Sequence, residues 1–285
     1  MVPRIRTVML LLCLFFVAAT AAMPSESSSR AYLALGDSVV FGFIDQAGYE
    51  YLNPENFIGF PDYVGRGLRL NDFDAGCPGE TTGSFLSATA PDTGCRLFRS
   101  LAPLHVAYTS TQSNYALAFL AHHPETRLVT IMLGANDLSL LQNACAGDPT
   151  CIANGLPQVL ATVSANIATI LGEIRGAGYR GVIVVANYYS LDYSNVSATQ
   201  LTELLNQALS APARAEGAAV ADVFTAFQIA VSNPFAGGAT CKAGLLNASP
   251  QNQFMCDIHP SQSGQKLIAR TVEAAFAAAI RKTGE

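Results

Sequence analysis

The chain has 285 residues, of which 50% are hydrophobic and 13% charged, and its formal net charge is −5. This length suits one large domain or two small ones, and the composition excludes disordered and fibrous proteins. No cluster of lysine and arginine stands out, which argues against nucleic acid and anionic membrane surfaces as partners. The composition therefore favours a globular protein that does not bind nucleic acid.

The amino terminus has the features of a secretory signal peptide. Arg4 and Arg6 precede an apolar run over residues 8–19, and small residues follow up to Ala22. The run is short for a membrane span, and no later stretch is long and apolar enough, so we expect no integral span in the mature chain. We predict a signal peptide over residues 1–22 and a secreted or periplasmic protein. A retained amino-terminal anchor is the alternative.

The cysteines of the mature chain are predicted to form disulfides. The chain has seven cysteines, and removal of the signal peptide with Cys13 leaves six, an even number that implies disulfides in an exported protein. Their order along the chain suggests three local pairs: Cys77–Cys95, Cys145–Cys151 and Cys241–Cys256. A metal site is the alternative, but the chain has no Cys-x-x-Cys pair, and we expect no metal.

Secondary structure is predicted to alternate between strands and helices. Apolar or β-rich runs predict five strands, at residues 31–35, 71–76, 128–133, 181–186 and 218–222. Apolar spacing and helix end signals predict helices at residues 61–70, 111–122, 157–178, 201–213 and from 261 onward. Strands apolar on both faces that alternate with helices indicate a parallel sheet covered on both sides. We predict one domain over residues 23–285, with a loop at residues 242–254.

The first predicted strand ends at the tripeptide Gly36-Asp37-Ser38. Open α/β sheets bind ligands at the carboxyl ends of their strands. If a helix follows, its amino end favours negative charge near the Ser38 hydroxyl. Ser38 is therefore a candidate nucleophile, although Asp37 and Ser38 are also ordinary capping residues.

Two later stretches offer hydrogen-bond donors to a negative oxygen. Gly79 lies in the turn-rich segment of residues 77–83 and can bring a bare backbone N–H close to a ligand. Asn136 follows the strand predicted at residues 128–133, and its side-chain amide can donate to a developing oxyanion. An ordinary turn glycine and an ordinary turn asparagine are the alternatives.

A nucleophilic serine needs a base, and the base needs an orienting partner. Of the four histidines, two end a predicted helix, and His105 lies in an apolar loop with no acid nearby in the sequence. His259 is followed by a proline that predicts a turn, and Asp257 precedes it by two positions. His259 is therefore the candidate base.

Four blocks in this order resemble the SGNH (GDSL-type) hydrolase family: Gly36-Asp37-Ser38, Gly79-Glu80-Thr81, Gly134-Ala135-Asn136-Asp137 and Asp257-Ile258-His259-Pro260. The resemblance implies an α/β fold of three layers, α/β/α, around a flavodoxin-like parallel sheet of five strands. It implies ester hydrolysis without a cofactor. It also implies Ser38 as nucleophile, His259 as general base and acid, and an oxyanion hole from the Ser38 N–H, the Gly79 N–H and the Asn136 side chain.

The sequence departs from the family pattern beside the histidine. The family's acid usually precedes the histidine by three positions, and here that position is Cys256. Asp257 is the expected substitute. A backbone carbonyl that orients the imidazole is the alternative, and Asp257 would then only pack the segment.

The sequence thus predicts a monomeric, secreted serine esterase or lipase that acts on a small-molecule or lipid ester. Aromatic residues recur over residues 41–63, beside Ser38, and either line the substrate site or fill the core. Two other functions stay open. One is a carbohydrate O-acetylesterase at the same site, and the other is a non-catalytic glycan- or lipid-binding module on the same fold.

Overall fold

The computed structural model describes residues 30–249 and 252–284, so the signal peptide predicted over residues 1–22 lies outside the described residues. The strands of the described residues are β1 (Ala31–Gly36), β2 (Asn71–Asp74), β3 (Leu128–Met132), β4 (Val182–Ala186), β5 (Ala219–Ala221), β6 (Leu246–Ser249) and β7 (Asn252–Pro260). The α-helices are α1 (Ser38–Phe41), α2 (Phe60–Leu68), α3 (Thr82–Leu86), α4 (Cys95–Leu101), α5 (Gln112–His122), α6 (Ala135–Ala144), α7 (Pro149–Gly176), α8 (Val196–Ala215), α9 (Val223–Val231) and α10 (Gln262–Thr283).

Strands β1 to β5 form one parallel sheet in the order β2-β1-β3-β4-β5. This is the flavodoxin-like order of strands, and it confirms the predicted fold class. Every residue of β1 and β3 is buried, as expected for strands covered on both faces. Their register places Gly36 beside Met132, so the two strands end at the same edge of the sheet.

Helices cover both faces of this sheet. On one face α10 packs against β4 and β5 and contacts α2 and α9. On the other face α5 packs against β1, α8 packs against β4 and β5, and α7 contacts both helices. The hydrophobic core lies between these layers, where side chains such as Leu33, Ile131 and Val184 are fully buried.

Helix α7 begins at Pro149, whereas the sequence predicts its start at residue 157. The Asp148 carboxylate accepts hydrogen bonds from the backbone N–H groups of Thr150 and Cys151, which caps the helix. Pro149 occupies the first turn, where a missing N–H costs nothing. Pro157 lies inside the helix. Proline is disfavoured in a helix interior because it lacks an N–H, and for this reason the sequence predicts the start of the helix at residue 157.

Within the described residues, α7 is the one helix that is long and apolar enough to span a membrane by length and composition. Its buried side chains, which include Val163, Ile167 and Leu171, pack in the core between the sheet and the neighbouring helices. By this measure the helix is an exception to the expectation that no later stretch is long and apolar enough, and 22% of its most apolar 18-residue window is buried.

The loop predicted over residues 242–254 is wrong in part. Strands β6 and β7 pair antiparallel there, with irregular register. Both strands are rich in polar residues that strands disfavour, so their sequence shows no strand pattern. Asp257 and His259 consequently lie on β7, which continues to Pro260, and not in a turn.

Three disulfides link Cys77 with Cys95, Cys145 with Cys151, and Cys241 with Cys256. These are the pairs expected from their order in the sequence. The first links the segment after β2 to the start of α4, and the third links the segment after α9 to β7. Disulfides of this kind each stabilise a fold by about 2–4 kcal/mol.

We expect Ile167→Ala to lower the free energy of unfolding by about 2–5 kcal/mol, because this side chain is fully buried on α7 and its removal leaves a cavity. Urea denaturation followed by circular dichroism measures the change. Thr169→Ala is the control, since Thr169 is exposed on the same helix and its loss changes stability by about 0.5 kcal/mol or less. Equal losses in the two variants would contradict the packing of α7.

Candidate active site

The edge where β1 and β3 end holds Ser38 at the start of the short helix α1. Asp37 caps this helix, because its Oδ1 accepts a hydrogen bond from the Val39 N–H at 2.9 Å. Gly42 ends the helix in the left-handed conformation. The capping interpretation therefore holds for Asp37, whereas the Ser38 side chain faces a large cleft.

The hydroxyl of Ser38 contacts the imidazole of His259, which is 221 positions away in the sequence. The Ser38 Oγ lies 3.0 Å from His259 Nε2, a distance suited to proton transfer from a nucleophile to a base. The ring of His259 also packs edge-on against Phe43, with ring centroids 4.9 Å apart. The structure thus brings these two predicted residues together.

Asp257 contacts the opposite nitrogen of the same imidazole. Its Oδ1 lies 2.7 Å from His259 Nδ1, and its Oδ2 accepts the backbone N–H of Asp45 at 2.9 Å. Burial raises the pKa of Asp257, but the hydrogen bond and charge of His259 lower it, and the net pKa lies below its ordinary value. The group is therefore a carboxylate at neutral pH, well placed to fix the ring orientation.

Two adjacent tyrosines after β4 donate hydrogen bonds to the residue before Ser38 and to the residue before His259. The Tyr188 hydroxyl donates to Asp37 Oδ2 at 2.5 Å, beside Ser38. The Tyr189 hydroxyl donates to the backbone carbonyl of Ile258 at 2.8 Å, beside His259. Both tyrosines are buried, so each hydrogen bond is shielded from water.

The two predicted donor groups, Gly79 and Asn136, line the same cleft as Ser38. Gly79 has φ +88°, and a Cβ there would lie 2.6 Å from the backbone nitrogen of Gly94. The turn therefore requires glycine. The backbone N–H groups of Ser38 and Gly79 have no hydrogen-bond partner within the described part of the chain.

The amide of Asn136 is held in one orientation by its neighbours. Its Oδ1 accepts a hydrogen bond from the Thr93 hydroxyl at 2.8 Å, and its Nδ2 donates to the Glu80 carbonyl at 3.0 Å. Because an amide nitrogen carries two hydrogens, the other one has no hydrogen-bond partner among the described residues. Thr93 also donates its backbone N–H to the Gly79 carbonyl at 2.9 Å, so it connects the two donor groups.

Three buried carboxyl groups have raised pKa values. Burial raises the pKa of Asp37 to about 6 and the pKa values of Asp74 and Glu80 to about 7, against partial opposition from hydrogen bonds and from His105 beside Asp74. No acid is near His105 in the sequence, but folding places Asp74 Oδ2 3.9 Å from its Nε2. The Oδ2 atom of Asp74 has no hydrogen-bond partner.

One group of side chains in the described residues has the spacing of metal ligands: Cys77, Glu80 and Cys95. Both sulfurs belong to the same disulfide, so neither is a thiolate that a metal could bind. Cys256 lies three positions before His259, but it too is in a disulfide.

The cleft above Ser38 has a volume of about 1010 Å³ and a mainly apolar lining. One wall is aromatic, where Phe43, Tyr51 and Phe98 pack against one another. The lining also includes leucines of α6 and α8, among them Leu138 and Leu205. The aromatic segment at residues 41–63 therefore divides between the two expected roles, because Phe41, Phe57 and Phe60 are buried in the core.

Sequence reasoning missed Thr93, Tyr188 and Tyr189. The two tyrosines follow β4 directly, at the same sheet edge as the other strand ends, so their position in the topology is the signal that identifies them. Thr93 lies in a loop with no pattern of its own, and only the folded contacts reveal it.

A parallel α/β sheet with a Ser-His pair at its carboxyl edge is an arrangement that recurs in serine hydrolases on several folds. The chain matches the model of the GDSL-like Lipase/Acylhydrolase family over residues 34–267, and it belongs to this family. The resemblance carried by the four sequence blocks is thereby confirmed.

Solved structures of hydrolases share the fold. LAE5, an alpha/beta hydrolase from the metagenome of Lake Arreo in Spain, superposes with a TM-score of 0.54 and 15% identity, covering 88% of this chain and 96% of its own. A variant of Axe2, an acetyl xylan esterase from Geobacillus stearothermophilus, superposes with a TM-score of 0.53 and 16% identity, covering 88% of this chain and 94% of its own. A comparison with curated protein sequences found no match to this chain.

The buried carboxyl groups predict that stability falls as the pH rises. A carboxyl group whose pKa is raised in the folded protein binds more protons in the folded state than in the unfolded state. Its contribution to stability is therefore present below a pH of about 4 and is lost as the pH rises to the pKa of the folded state. For Asp74 that window extends to about pH 7. One such group changes the free energy of unfolding by at most about 1.4 kcal/mol per pH unit.

We expect Asp74→Asn to flatten this dependence, because the amide does not titrate and its Oδ1 retains the hydrogen bond from the Gly76 N–H. Urea denaturation at a series of pH values between about 4 and 7 measures the slope for both proteins. Identical slopes would show that Asp74 does not hold its proton in the folded state.

Proposed function

We propose that this chain is a secreted serine ester hydrolase that acts through an acyl-enzyme. The observation that supports it most is the continuous line of contacts from Ser38 Oγ to His259 Nε2, at 3.0 Å, and from His259 Nδ1 to Asp257 Oδ1, at 2.7 Å. This is the arrangement that activates a serine hydroxyl. Membership of a family of lipases and acylhydrolases supports the same reaction class.

In the first step His259 takes the hydroxyl proton while Ser38 Oγ forms a bond to the ester carbonyl carbon. The resulting oxyanion accepts hydrogen bonds from the N–H groups of Ser38 and Gly79 and from the Asn136 amide, each worth roughly 2.7–4 kcal/mol in comparable sites. The intermediate collapses, the alcohol leaves with the proton from His259, and the acyl group stays on Ser38. Water, activated by the same imidazole, then releases the acid.

Asp257 orients His259 in this proposal. The family's usual acid position is Cys256, whose sulfur is bonded to Cys241. The short contact of Asp257 with Nδ1, and its lowered pKa, support a charged carboxylate over the alternative of a backbone carbonyl. The carboxylate stabilises the imidazolium that forms during attack.

The lining of the cleft favours esters with an apolar acyl group. An acetyl group fills only a small part of about 1010 Å³, and the walls offer mostly apolar atoms. A carbohydrate O-acetylesterase is the second candidate, because a structural neighbour is described as an acetyl xylan esterase. Initial rates on p-nitrophenyl esters of increasing acyl length and on acetylated xylan distinguish the two.

Secretion is part of the same proposal. The signal-peptide pattern at residues 1–22 and the three disulfides both fit an oxidising compartment outside the cytoplasm. Mass spectrometry of the protein from culture medium or periplasm, with an amino terminus at residue 22 or 23, would support it.

Ser38→Ala is expected to lower kcat/KM for p-nitrophenyl butyrate by about 10⁴-fold or more, because no other group forms the acyl-enzyme. The circular dichroism spectrum stays unchanged. Ser100→Ala is the control, since Ser100 is an exposed serine on α4. A fluorophosphonate probe labels the wild-type serine and not Ser38→Ala. Absence of labelling in the wild type would favour the non-catalytic binding module.

Asp257→Asn is expected to lower kcat by about 10⁴-fold, because the amide cannot stabilise the imidazolium, and the loss is smaller than that from removal of the nucleophile. KM changes little, since the carboxylate lies behind the imidazole. Steady-state kinetics on the same ester measure both constants. Wild-type kcat in this variant would assign the orienting role to a backbone carbonyl.

A further inference from the structure

We infer that the mouth of the cleft is a docking surface for neutral lipid aggregates. Six of the eleven exposed large hydrophobic residues in the described part of the chain line this one cleft. We define them as the cleft rim: Tyr49, Leu52, Leu97, Leu101, Leu191 and Ile258. Apolar side chains gathered around one opening mark an interaction site, whereas scattered ones need no explanation.

Helix α4 presents one uncharged stripe of this rim. Leu97 and Leu101 are four positions apart, and therefore share a helix face, with 64% and 70% of their surface exposed. The two arginines of α4 are engaged elsewhere. Arg96 pairs with Asp92 at 2.9 Å, and Arg99 donates to the Ser110 carbonyl at 3.2 Å while its guanidinium lies over the Tyr108 ring.

The other rim residues come from three further segments. Tyr49 and Leu52 lie on a short 3₁₀ helix (Gly48–Leu52), where Tyr49 is 92% exposed. The one acid of that helix, Glu50, accepts a hydrogen bond from Asn56 at 2.5 Å. Leu191 follows β4, and Ile258 precedes His259 on β7. Four separate segments thus place apolar side chains around one opening.

The position and charge of the rim favour a lipid surface over a protein partner. A protein seated on the rim would cover the entrance to Ser38, whereas a lipid aggregate supplies its own molecules through that entrance. The rim residues are uncharged, and the chain has a net charge of −5, so anionic headgroups gain no attraction. Neutral or zwitterionic lipid is therefore the occupant. This inference rests on the proposed ester hydrolysis, which gives lipid docking its use, but the docking itself requires no catalysis.

Co-sedimentation with phosphatidylcholine vesicles tests the docking in a Ser38→Ala background, where no lipid is hydrolysed. We expect the Leu97→Ser/Leu101→Ser variant to bind at least about tenfold more weakly, because it loses two apolar side chains from the contact. Ile229→Ser/Phe235→Ser is the matched control, since these residues are 68% and 82% exposed and lie outside the cleft. We expect the control to bind like the Ser38→Ala parent. Circular dichroism verifies that both variants fold.

Three results would overturn the inference. They are absence of vesicle binding by the Ser38→Ala parent, equal weakening in the rim variant and the control, and stronger binding to phosphatidylglycerol vesicles than to phosphatidylcholine. Sedimentation velocity without lipid adds a fourth: a dimer that the rim variant loses would identify a second copy of the chain as the occupant. Failure of ester hydrolysis by the wild type would instead refute the proposed function, whatever the vesicles show.

Discussion

The close approach of β1 and β3 at their carboxyl ends is the constraint on which the site depends. A Cβ at Gly36 would lie 2.0 Å from the Met132 carbonyl oxygen, so no other residue fits between the strands without displacing one of them. Asp37 donates its N–H to the same carbonyl at 3.3 Å. Gln112 hydrogen-bonds both backbone groups of Gly36. Ser38 and Asn136, which follow these strands, are consequently held at one edge.

Much of this arrangement follows from the sequence, because parallel strands buried on both faces leave a strong signal. The continuous apolar runs that end at Gly36 and Gly134 predict both strands and the edge that they share. Sequence order also suggests the three disulfides, because it pairs neighbouring cysteines, although six cysteines allow fifteen pairings. Each of these features depends on residues close in sequence or on a rule of topology.

The remaining features depend on contacts that no local pattern encodes. The β6–β7 hairpin mixes polar and apolar residues without a strand pattern. Its strands pair with each other, and the Cys241–Cys256 disulfide joins them to the fold. The contact of His105 with Asp74 arises only when two distant segments pack. Thr93 orients Asn136 from a loop whose own sequence is featureless. Such contacts become visible only in three dimensions.

The Cys241–Cys256 disulfide holds one half of the site to the fold by a covalent bond that the other half lacks. Ser38 comes directly after β1 of the parallel sheet, whose strands contain no cysteine. His259 and Asp257 lie outside that sheet, on a hairpin covalently tied one residue before Asp257. The serine is thus held by the sheet, whereas the imidazole lies on a hairpin with a covalent link to the segment after α9. Reduction of this one bond would loosen the half that carries the imidazole and would break no bond in the strands that hold the serine.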